Sequence, residues 1–371
     1  MRKAVIVLPT YNEKGNIEAL INQINGVKKL IKNWDIHILV VDSLSQDGTK
    51  ETILRLKKRF SFLHFLSTKK EGLGKAYING FKYAIDHLNP YLLFEMDADL
   101  SHDPKEIPNF LNKIERGADF VIGARYIRGG SIPKNWDLYR KILSVMANWI
   151  IKIGFMKLKI HDWTSGYRAI KTWVVKEALS YIKDYSGYVF QVAFLDFALK
   201  NGAIVEEIPI KFKERKWGVS KINSFQYISQ TLFYVFFNSS FIKFVIVGTI
   251  GFLIDFGLSF VLIEKMHQLV WVSTLISTET AIISNFLLNN FWSFSHKKIE
   301  GRLTAYFSNF LKFNLISSGS ILIQTLGIQG LVVLFGKSYW YFYKIFIIIF
   351  IIIPYSYFLY NKVIWKEKKM T

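Results

Sequence analysis

The first third of the chain alternates short apolar runs with longer amphipathic stretches. Runs that are apolar at consecutive positions predict strands buried on both faces. The stretches between them, near residues 16–31, 48–59, 74–88 and 104–116, have the apolar spacing of helices. This alternation predicts an α/β domain with a mostly parallel sheet covered on both sides. The predicted strands are Ala4–Leu8, Ile36–Val41, Phe62–Leu66, Tyr91–Met96 and Phe120–Ile122.

Two later stretches have mixed apolar and polar positions. Residues 138–153 predict an amphipathic helix. Phe225–Phe237 combines aromatic with polar residues, which is typical of a helix in the membrane interface and also of an ordinary packed helix. The pattern leaves both possibilities open. The apolar side of the first stretch consists of Leu138, Ile142, Val145, Trp149 and Ile153.

From residue 241 onward the chain consists of four long apolar segments with few charges. Each is long enough to cross a hydrocarbon core of roughly 30 Å, so we predict four transmembrane helices. The chain then divides into a soluble domain (1–223), an interfacial helix or linker (224–238) and a transmembrane domain (239–371). The apolar segments are Phe241–Ile263, Leu269–Trp292, Phe310–Phe335 and Tyr339–Tyr360.

Charge supports a membrane location. The 371 residues carry a formal net charge of +20, which suits either anionic lipid or nucleic acid. No nucleic-acid-binding motif is present, and basic residues flank the apolar segments, so we expect a bilayer and no nucleic acid as partner. The link between the second and third segments and the tail are the richest in Lys and Arg. By the positive-inside rule, the soluble domain and both termini are expected in the cytoplasm of a multi-pass cell-membrane protein.

Polar clusters follow the predicted strands, where parallel sheets bind their ligands. Asp97-Ala98-Asp99 comes directly after the fourth strand. Two carboxylates this close repel each other unless they are protonated or bridged by a cation. Mg²⁺ and Mn²⁺ take oxygen ligands, and such an ion can also bind a diphosphate. The alternative interpretation of Asp97-Ala98-Asp99 is a solvated acidic turn. With no cysteine in the chain, thiolate catalysis, Cys-ligated zinc and disulfides are excluded.

Four motifs together resemble one enzyme family. In combination they resemble the family 2 glycosyltransferases of the GT-A fold, and among these the polyprenol (dolichol) phosphate mannose synthases. The resemblance covers residues 1 to about 235 and implies a Rossmann-like domain. The motifs are Pro9-Thr10-Tyr11-Asn12-Glu13, Val41-Asp42 with Asp47-Gly48-Thr49, Asp97-Ala98-Asp99, and Gly123-Ala124-Arg125-Tyr126.

The apolar half carries a second resemblance. Phe244-Val245-Ile246-Val247-Gly248, Asp255 and the run from Ser284 to Phe294 resemble the four-helix GtrA-like membrane domain. Polar residues such as Glu279, Asn285, Asn289 and Asn290 in or near these segments fit lipid handling or hydrogen bonds between helices. We favour hydrogen bonds between helices.

The resemblance assigns roles to matching positions. The metal ion, Mg²⁺ or Mn²⁺, would be bound by Asp97 and Asp99. The acceptor phosphate would be held by Arg125, Arg140 and Ser144, which together with Asp99 would be the catalytic residues. Asp162 falls in a similar Asp-x-x-Ser-Gly element of the family. The nucleotide sugar would be bound by Pro9, Tyr11, Glu13, Val40, Asp42, Asp97, Ala98, Asp99, Arg215 and Lys221.

Two positions depart from the family pattern. Ser43 stands where the family often has a second Asp, and Ser101 stands where it usually has a Gln that can join the metal shell. The departure at Ser101 implies weaker metal coordination, or coordination completed by water. Together they leave the donor preference less certain.

The resemblance implies inverting transfer of a sugar, with mannose from GDP-mannose favoured, to a polyprenyl monophosphate. A phosphate monoester has its second pKa near 6 and so presents an anionic oxygen at neutral pH, which removes the need for a catalytic base. Two alternatives stay open. One is a glucosyltransferase that uses UDP-glucose, and the other is a lipid-linked sugar translocator whose α/β domain only binds.

Overall fold

The structure, a computed structural model, describes residues 1–185, 187, 189–214 and 224–366. The chain forms two compact units, of which the first is Met1–Val235 and the second begins at Phe236. The predicted role of residues 224–238 as an interfacial segment stays a prediction.

The first unit contains a sheet of seven strands within its described residues, in the order β3-β2-β1-β4-β6-β5-β7. Neighbouring strands are parallel except around β6, which is antiparallel to both β4 and β5. The predicted mostly parallel sheet is thus confirmed, with one antiparallel strand that the sequence pattern did not indicate. The strands are β1 (Arg2–Thr10), β2 (Trp34–Asp42), β3 (Leu63–Ser67), β4 (Leu92–Glu95), β5 (Phe120–Ala124), β6 (Arg168–Lys171) and β7 (Val205–Pro209).

Helices occupy the connections between these strands. The predicted helix near residues 138–153 is present as α5, but Leu138, Ile142, Trp149 and Ile153 on its apolar side are exposed in the first unit. The helices of this part of the chain are α1 (Lys14–Lys28), α2 (Thr49–Arg59), α3 (Leu73–Leu88), α4 (Ile107–Glu115), α5 (Leu138–Gly154), α6 (Thr172–Ile182), α7 (Val189–Lys200) and α8 (Ser224–Asn238).

Both faces of the central strands are buried. On one face, Ile6 and Ile38 belong to the same hydrophobic core as Leu20 of α1. On the other, Gly80 of α3 lies so close to the sheet that a Cβ there would be 2.6 Å from Val7 Cγ1. Consecutive apolar residues in β1 and β2 are required for this reason, because adjacent side chains point to opposite covered faces.

Strand pairing brings the candidate site residues to one edge of the sheet. β1 lies between β2 and β4 and is parallel to both, with Thr10 opposite Asp42 and Val7 opposite Glu95. The segments that follow these strands therefore emerge side by side at the carboxyl edge, where ligands bind in open parallel sheets.

The second unit is built from apolar helices. Four continuous helical spans have the length and hydropathy needed to cross a membrane: Ser240–Lys265, Val270–Ser293, Leu303–Phe335 and Lys337–Ile364. The first span is α9 (Ser240–Phe260) with a π-helical turn, and the second is α10 (Val270–Leu288) with another. The third is α11 (Leu303–Phe335), and the fourth contains α12 (Trp340–Ile347) and α13 (Ile353–Leu359).

Polar residues inside this unit bond to neighbouring helices. Asp255 Oδ1 of α9 accepts hydrogen bonds from Ser277 Oγ at 2.6 Å and Thr278 Oγ1 at 3.1 Å, both on α10. Asn290 Oδ1 accepts from Trp365 Nε1 at 3.0 Å. These contacts fit the interpretation that polar residues here join helices to each other.

Candidate active site

The acidic motif lies in a tight turn immediately after β4. Leu100 has a positive φ of 66°, and Ser101 N–H donates to Asp99 Oδ1 at 3.1 Å. The backbone N–H of Asp97 donates to His102 Nδ1 at 3.1 Å. The turn thus orients the carboxylate of Asp99, which is almost fully buried, whereas the Asp97 side chain is one-third exposed.

His102 is the buried support of this turn. Its ring stacks on Tyr167 with centroids 4.8 Å apart and meets the edge of Phe212. Burial lowers the pKa of His102 to about 4, so the imidazole is neutral at physiological pH. Because Nδ1 accepts a hydrogen bond, the proton is on Nε2, which lies 3.8 Å from Asp97 Oδ2. The sequence analysis did not single out His102, although it lies only three positions after Asp99.

The motif suits a hard divalent cation that is bound together with a diphosphate. Within the described residues, no group of three or more His, Cys, Asp and Glu side chains is arranged to hold a metal. The protein would offer the carboxylates of Asp97 and Asp99, with phosphate oxygens and water completing the shell, as is usual for Mg²⁺. Ser101 Oγ is buried and has no hydrogen-bond partner among the described residues, which leaves an oxygen uncommitted beside Asp99.

Asp42 ends β2 and is held in a network of hydroxyl groups. Its Oδ1 accepts from Thr10 Oγ1 at 2.9 Å and from Ser45 Oγ at 2.5 Å, and its Oδ2 accepts from the Ser45 N–H at 3.0 Å. Asp42 is nearly fully buried. The same holds for Val40, two positions earlier on β2, and for Ala98, which follows β4. The carboxylate is therefore locked into a defined orientation at the sheet edge.

The end of β1 and the segment after it carry three more predicted nucleotide-binding residues, Pro9, Tyr11 and Glu13. Pro9 pairs with Val41 inside the sheet. Glu13 accepts from Asn16 Nδ2 at 2.7 Å, and its N–H donates to Thr49 Oγ1 at 2.9 Å. The Lys70 ammonium lies 3.7 Å from the centroid of the Tyr11 ring, a cation–π contact. These contacts anchor the start of α1 next to α2.

Arg125, which follows β5, forms a two-pronged ion pair with Asp162. Its Nε donates to Asp162 Oδ2 at 2.7 Å and its Nη2 to Oδ1 at 2.8 Å, and its backbone N–H also donates to Oδ2. Nη2 further donates to Thr164 Oγ1 at 2.7 Å. Burial by itself raises the pKa of Asp162, but the Arg125 charge and hydrogen bonds outweigh it and hold that pKa below its usual value. The planar fork of Arg125 is thereby fixed.

The short segment 162–166 connects this ion pair with the acidic motif. Its first residue, Asp162, holds Arg125, and its last residue, Gly166, lies against Asp97. A Cβ at Gly166 would be 3.5 Å from Asp97 Oδ1. One segment of five residues therefore runs from the partner of Arg125 to the vicinity of Asp97.

The remaining predicted acceptor residues lie on α5. Ser144 Oγ and Tyr126 OH share a hydrogen bond of 2.5 Å. Arg140 stacks over the Trp136 ring at 3.9 Å, and its Nη1 is 3.8 Å from Glu214. Because Tyr126 follows Arg125 directly, Ser144 is linked to the Arg125 side of the site. Arg215 and Lys221 lie outside the described residues.

A fully buried ion pair lies beneath the site. Glu95 and Arg168 are cross-strand partners on β4 and β6, 3.8 Å apart. Arg168 also donates to the carbonyl oxygens of Gln191 and Trp163. Burial raises the pKa of Glu95 to about 7, against the lowering effect of Arg168. No sequence signal indicates this pair, since it depends on β6 inserting beside β4.

Comparison with known proteins agrees with this geometry. Residues 5–179 match the model of glycosyl transferase family 2. Polyprenol monophosphomannose synthase from Mycolicibacterium smegmatis is 37% identical over 226 residues, which cover 60% of this chain and 82% of that protein. The chain belongs to glycosyl transferase family 2. The predicted family and enzyme class are thus confirmed, and the α/β domain is a GT-A domain.

The similarity extends through the second unit. Residues 243–365 match the GtrA/DPMS transmembrane domain, so this family 2 glycosyltransferase is a multi-pass membrane protein. Dolichol-phosphate mannosyltransferase from Pyrococcus furiosus is 29% identical over 359 residues, or 91% of this chain and 97% of that protein. Glucosyl-3-phosphoglycerate synthase from Mycobacterium tuberculosis aligns with a TM-score of 0.46 at 16% identity, covering 63% and 79% of the two chains. That likeness is too distant to transfer a ligand.

Proposed function

We propose that this glycosyltransferase transfers mannose from GDP-mannose to a polyprenyl monophosphate, with inversion at the anomeric carbon. The names of the two curated relatives, one similar over the catalytic half and the other over nearly the whole chain, support this acceptor and sugar. The structural observation that carries the proposal is the segment 162–166, which holds Arg125 at one end and lies close to Asp97 at the other. This arrangement supports a single site in which Arg125 holds the acceptor phosphate and the acidic motif faces the donor diphosphate.

The reaction requires no proton transfer by the protein. A phosphate oxygen of the acceptor attacks the anomeric carbon from one side while the bond from that carbon to the GDP oxygen breaks on the other. The electron pair of the broken bond leaves with the diphosphate. Since the attacking oxygen is already anionic at neutral pH, catalysis rests on positioning and on charge stabilisation.

Asp97 and Asp99 would hold Mg²⁺ or Mn²⁺ on the donor side. Bound there, the ion offsets charge on the departing diphosphate. Asp42 and Glu13 would accept hydrogen bonds from the nucleoside, and Tyr11 would offer its ring or hydroxyl to the base or ribose. Pro9, Val40 and Ala98 would line the same pocket, and Arg215 and Lys221 belong to the donor side of the proposal. The buried hydroxyl network of Asp42 supports this assignment, because it orients that carboxylate in advance.

Arg125, Arg140 and Ser144 would hold the acceptor phosphate. Arginine suits this role because its planar guanidinium can donate two parallel hydrogen bonds to phosphate. The apolar side of α5, the helix that carries Arg140 and Ser144, is exposed, with Trp149 and Ile142 about half accessible. An exposed apolar helix face beside a phosphate site suits an acceptor whose phosphate is attached to a hydrocarbon chain.

The membrane segments support a cytoplasmic catalytic unit. The link between the second and third spans carries Lys297, Lys298 and Arg302, whereas the shorter links carry Lys265 and Lys337. Cytoplasmic links are enriched in Lys and Arg, so the catalytic unit and both termini are proposed on that side.

A donor panel tests this proposal. Purified protein is incubated with polyprenyl phosphate and radiolabelled GDP-mannose or UDP-glucose, with and without Mn²⁺. We expect label from GDP-mannose in the lipid phase, only when Mn²⁺ is present. Preferential use of UDP-glucose would replace mannose by glucose in the proposal. If folded protein binds the donor but transfers sugar from neither nucleotide sugar, the enzymatic proposal is contradicted. The lipid-linked sugar translocator would then be the remaining hypothesis.

A further inference from the structure

Glu207 lies on β7, beside the strand that leads to Arg125. β7 is parallel to β5, and Glu207 is opposite Ile122 in the register. The Glu207 side chain is only 9% exposed. Its neighbour Glu206 points to the other face and makes an exposed 3.0 Å ion pair with Lys113. Two consecutive glutamates on one edge strand therefore have different surroundings.

The carboxylate of Glu207 binds the backbone just before the Arg125 ion pair. Its Oε1 accepts from the His161 N–H at 2.8 Å and from the Asp162 N–H at 3.0 Å. Its Oε2 lies 2.7 Å from His161 Nδ1. Hydrogen bonds between backbone N–H groups and a carboxylate are stronger than neutral ones. The backbone of Asp162 is thus tied to β7, while its side chain is tied to Arg125.

We infer that Glu207 is a positioning residue for transfer to the phosphate acceptor, acting through Asp162 on Arg125. This inference rests on the proposed function, in which Arg125 holds the acceptor phosphate. Within the described part of the chain, the hydrogen bonds of Glu207 reach His161 and Asp162 rather than Arg125 itself. Its effect passes through two successive sets of hydrogen bonds, from its Oε1 to the Asp162 N–H and from the Asp162 carboxylate to the guanidinium of Arg125.

Because the two carboxylate oxygens of Glu207 have different partners, variants can remove their hydrogen bonds separately. In Glu207→Gln the amide oxygen can still accept both backbone hydrogen bonds, because both reach Oε1 in the native side chain. Glu207→Ala removes them. His161→Ala removes only the bond to Oε2. Glu206→Ala is the matched control, since it removes a carboxylate from the same strand without touching segment 161–166.

The test measures transfer from a nucleotide-sugar donor to polyprenyl phosphate in the full-length protein. For Glu207→Ala we expect kcat/KM for the acceptor to fall by about tenfold or more, because a misplaced positioning group has effects of this order. The dissociation constant of the donor in the presence of Mn²⁺ should change less than about twofold. Glu207→Gln, His161→Ala and Glu206→Ala should stay within about threefold of wild type. Equal losses in donor binding and acceptor kinetics would indicate a general structural role and overturn the inference.

A double-mutant cycle tests the path through Asp162. Asp162→Asn keeps the shape of the side chain but weakens its ion pair with Arg125. If Glu207 acts through Asp162, the double variant should have a kcat/KM within about threefold of that of Asp162→Asn alone. If the two residues act independently, the losses of the two single variants would multiply. Multiplicative losses would overturn the inference. Thermal unfolding of every variant establishes that the compared proteins are folded.

The wild-type rate separates this inference from the proposed function. If wild type transfers a different sugar, the double-mutant cycle is run with that donor and still tests whether Glu207 acts through Asp162. If wild type binds the donor but transfers nothing, the proposed function fails. If wild type is active and Glu207→Ala is as active, only the role of Glu207 fails.

Discussion

At the scale of single residues, the site depends on carboxylates whose partners differ. Asp42 and Asp162 are both buried. Asp42 accepts hydrogen bonds from hydroxyl groups, and Asp162 accepts them from a guanidinium. The Asp97 side chain, just after β4, is one-third exposed. Residues of one chemical type therefore have different surroundings in this fold.

Asp99 is expected to be essential for turnover but dispensable for folding. In Asp99→Ala the cation loses one of its two proposed protein ligands, so transfer should fall by at least about 100-fold. Its side chain accepts a local hydrogen bond from the Ser101 N–H, within the turn that follows β4. Transfer assays and Mn²⁺ titration check this, with Asp86→Ala on the exposed side of α3 as control. Near-normal transfer by Asp99→Ala would contradict the metal-site assignment.

Replacing Arg125 with Met should destabilise the protein in a pH-dependent way. Removing one partner of a buried ion pair costs about 3–5 kcal/mol, because the remaining charge is uncompensated. In wild type the lowered pKa of Asp162 stabilises the fold above about pH 4, and this contribution is lost as pH falls through the lowered value. In the variant the guanidinium is gone, whereas burial and the hydrogen bonds from the backbone N–H groups of residues 125 and 164 remain. We therefore expect the pKa of Asp162 to rise, so that mild acid protonates it and removes the buried charge.

The unfolding free energy of Arg125→Met relative to wild type should therefore be most reduced near about pH 7.5 and less reduced near about pH 5. Denaturant unfolding at both pH values measures this. Arg128→Met is the control, because Arg128 is an exposed arginine three positions later. A destabilisation that is the same at both pH values would show that Asp162 stays charged without its partner.

At the scale of elements, the sheet positions the site through close packing of α3. A Cβ at Gly80 would be 2.6 Å from Val7 Cγ1 and 2.9 Å from Val41 Cγ2, which are in the strands that end at Thr10 and Asp42. Interiors are close-packed, so the helix would have to move away from the sheet. The approach of α3 therefore supports the ends of β1 and β2.

Gly80→Ala should destabilise the protein by about 1–3 kcal/mol, the usual cost of overpacking. Gly26 gives a matched comparison, since it is also in a helix, α1, and has open space around the position of a Cβ. Gly26→Ala should be neutral or stabilising by up to about 1 kcal/mol, because Ala favours helix. Thermal unfolding of both variants measures the difference. Equal effects would mean that α3 moves away from the sheet without cost.

At the scale of the whole molecule, the distribution of basic residues predicts the orientation in the membrane. The chain lacks cysteine, so single cysteines can be introduced without background. Lys298→Cys, in the link between the second and third spans, should be labelled by an impermeant reagent only after the cytoplasmic side is opened. His267→Cys, in the link between the first and second spans, and Ser338→Cys, at the start of the fourth span, should be labelled in intact cells. The opposite pattern would place the catalytic unit outside the cytoplasm.

The sequence alone determined the class of each half of the chain and the positions of its main chemistry. Runs such as Ala4–Leu8 are short and apolar at consecutive positions, which predicts a strand covered on both faces. The long apolar segments after residue 241 predicted spans, because a hydrocarbon core sets a minimum length. Polar residues such as Asp42, Asp97 and Arg125 follow predicted strands directly, so their place at the sheet edge needed no further information.

Only the tertiary structure decided which of these residues are connected and through what. Arg125 and Asp162 are 37 positions apart, and their ion pair forms because β6 inserts antiparallel between β4 and β5. Glu207 joins that pair because β7 lies beside β5. Strand order depends on packing among distant segments, which local periodicity does not encode. For the same reason, the two consecutive residues Glu206 and Glu207 look alike in the sequence and differ in the fold.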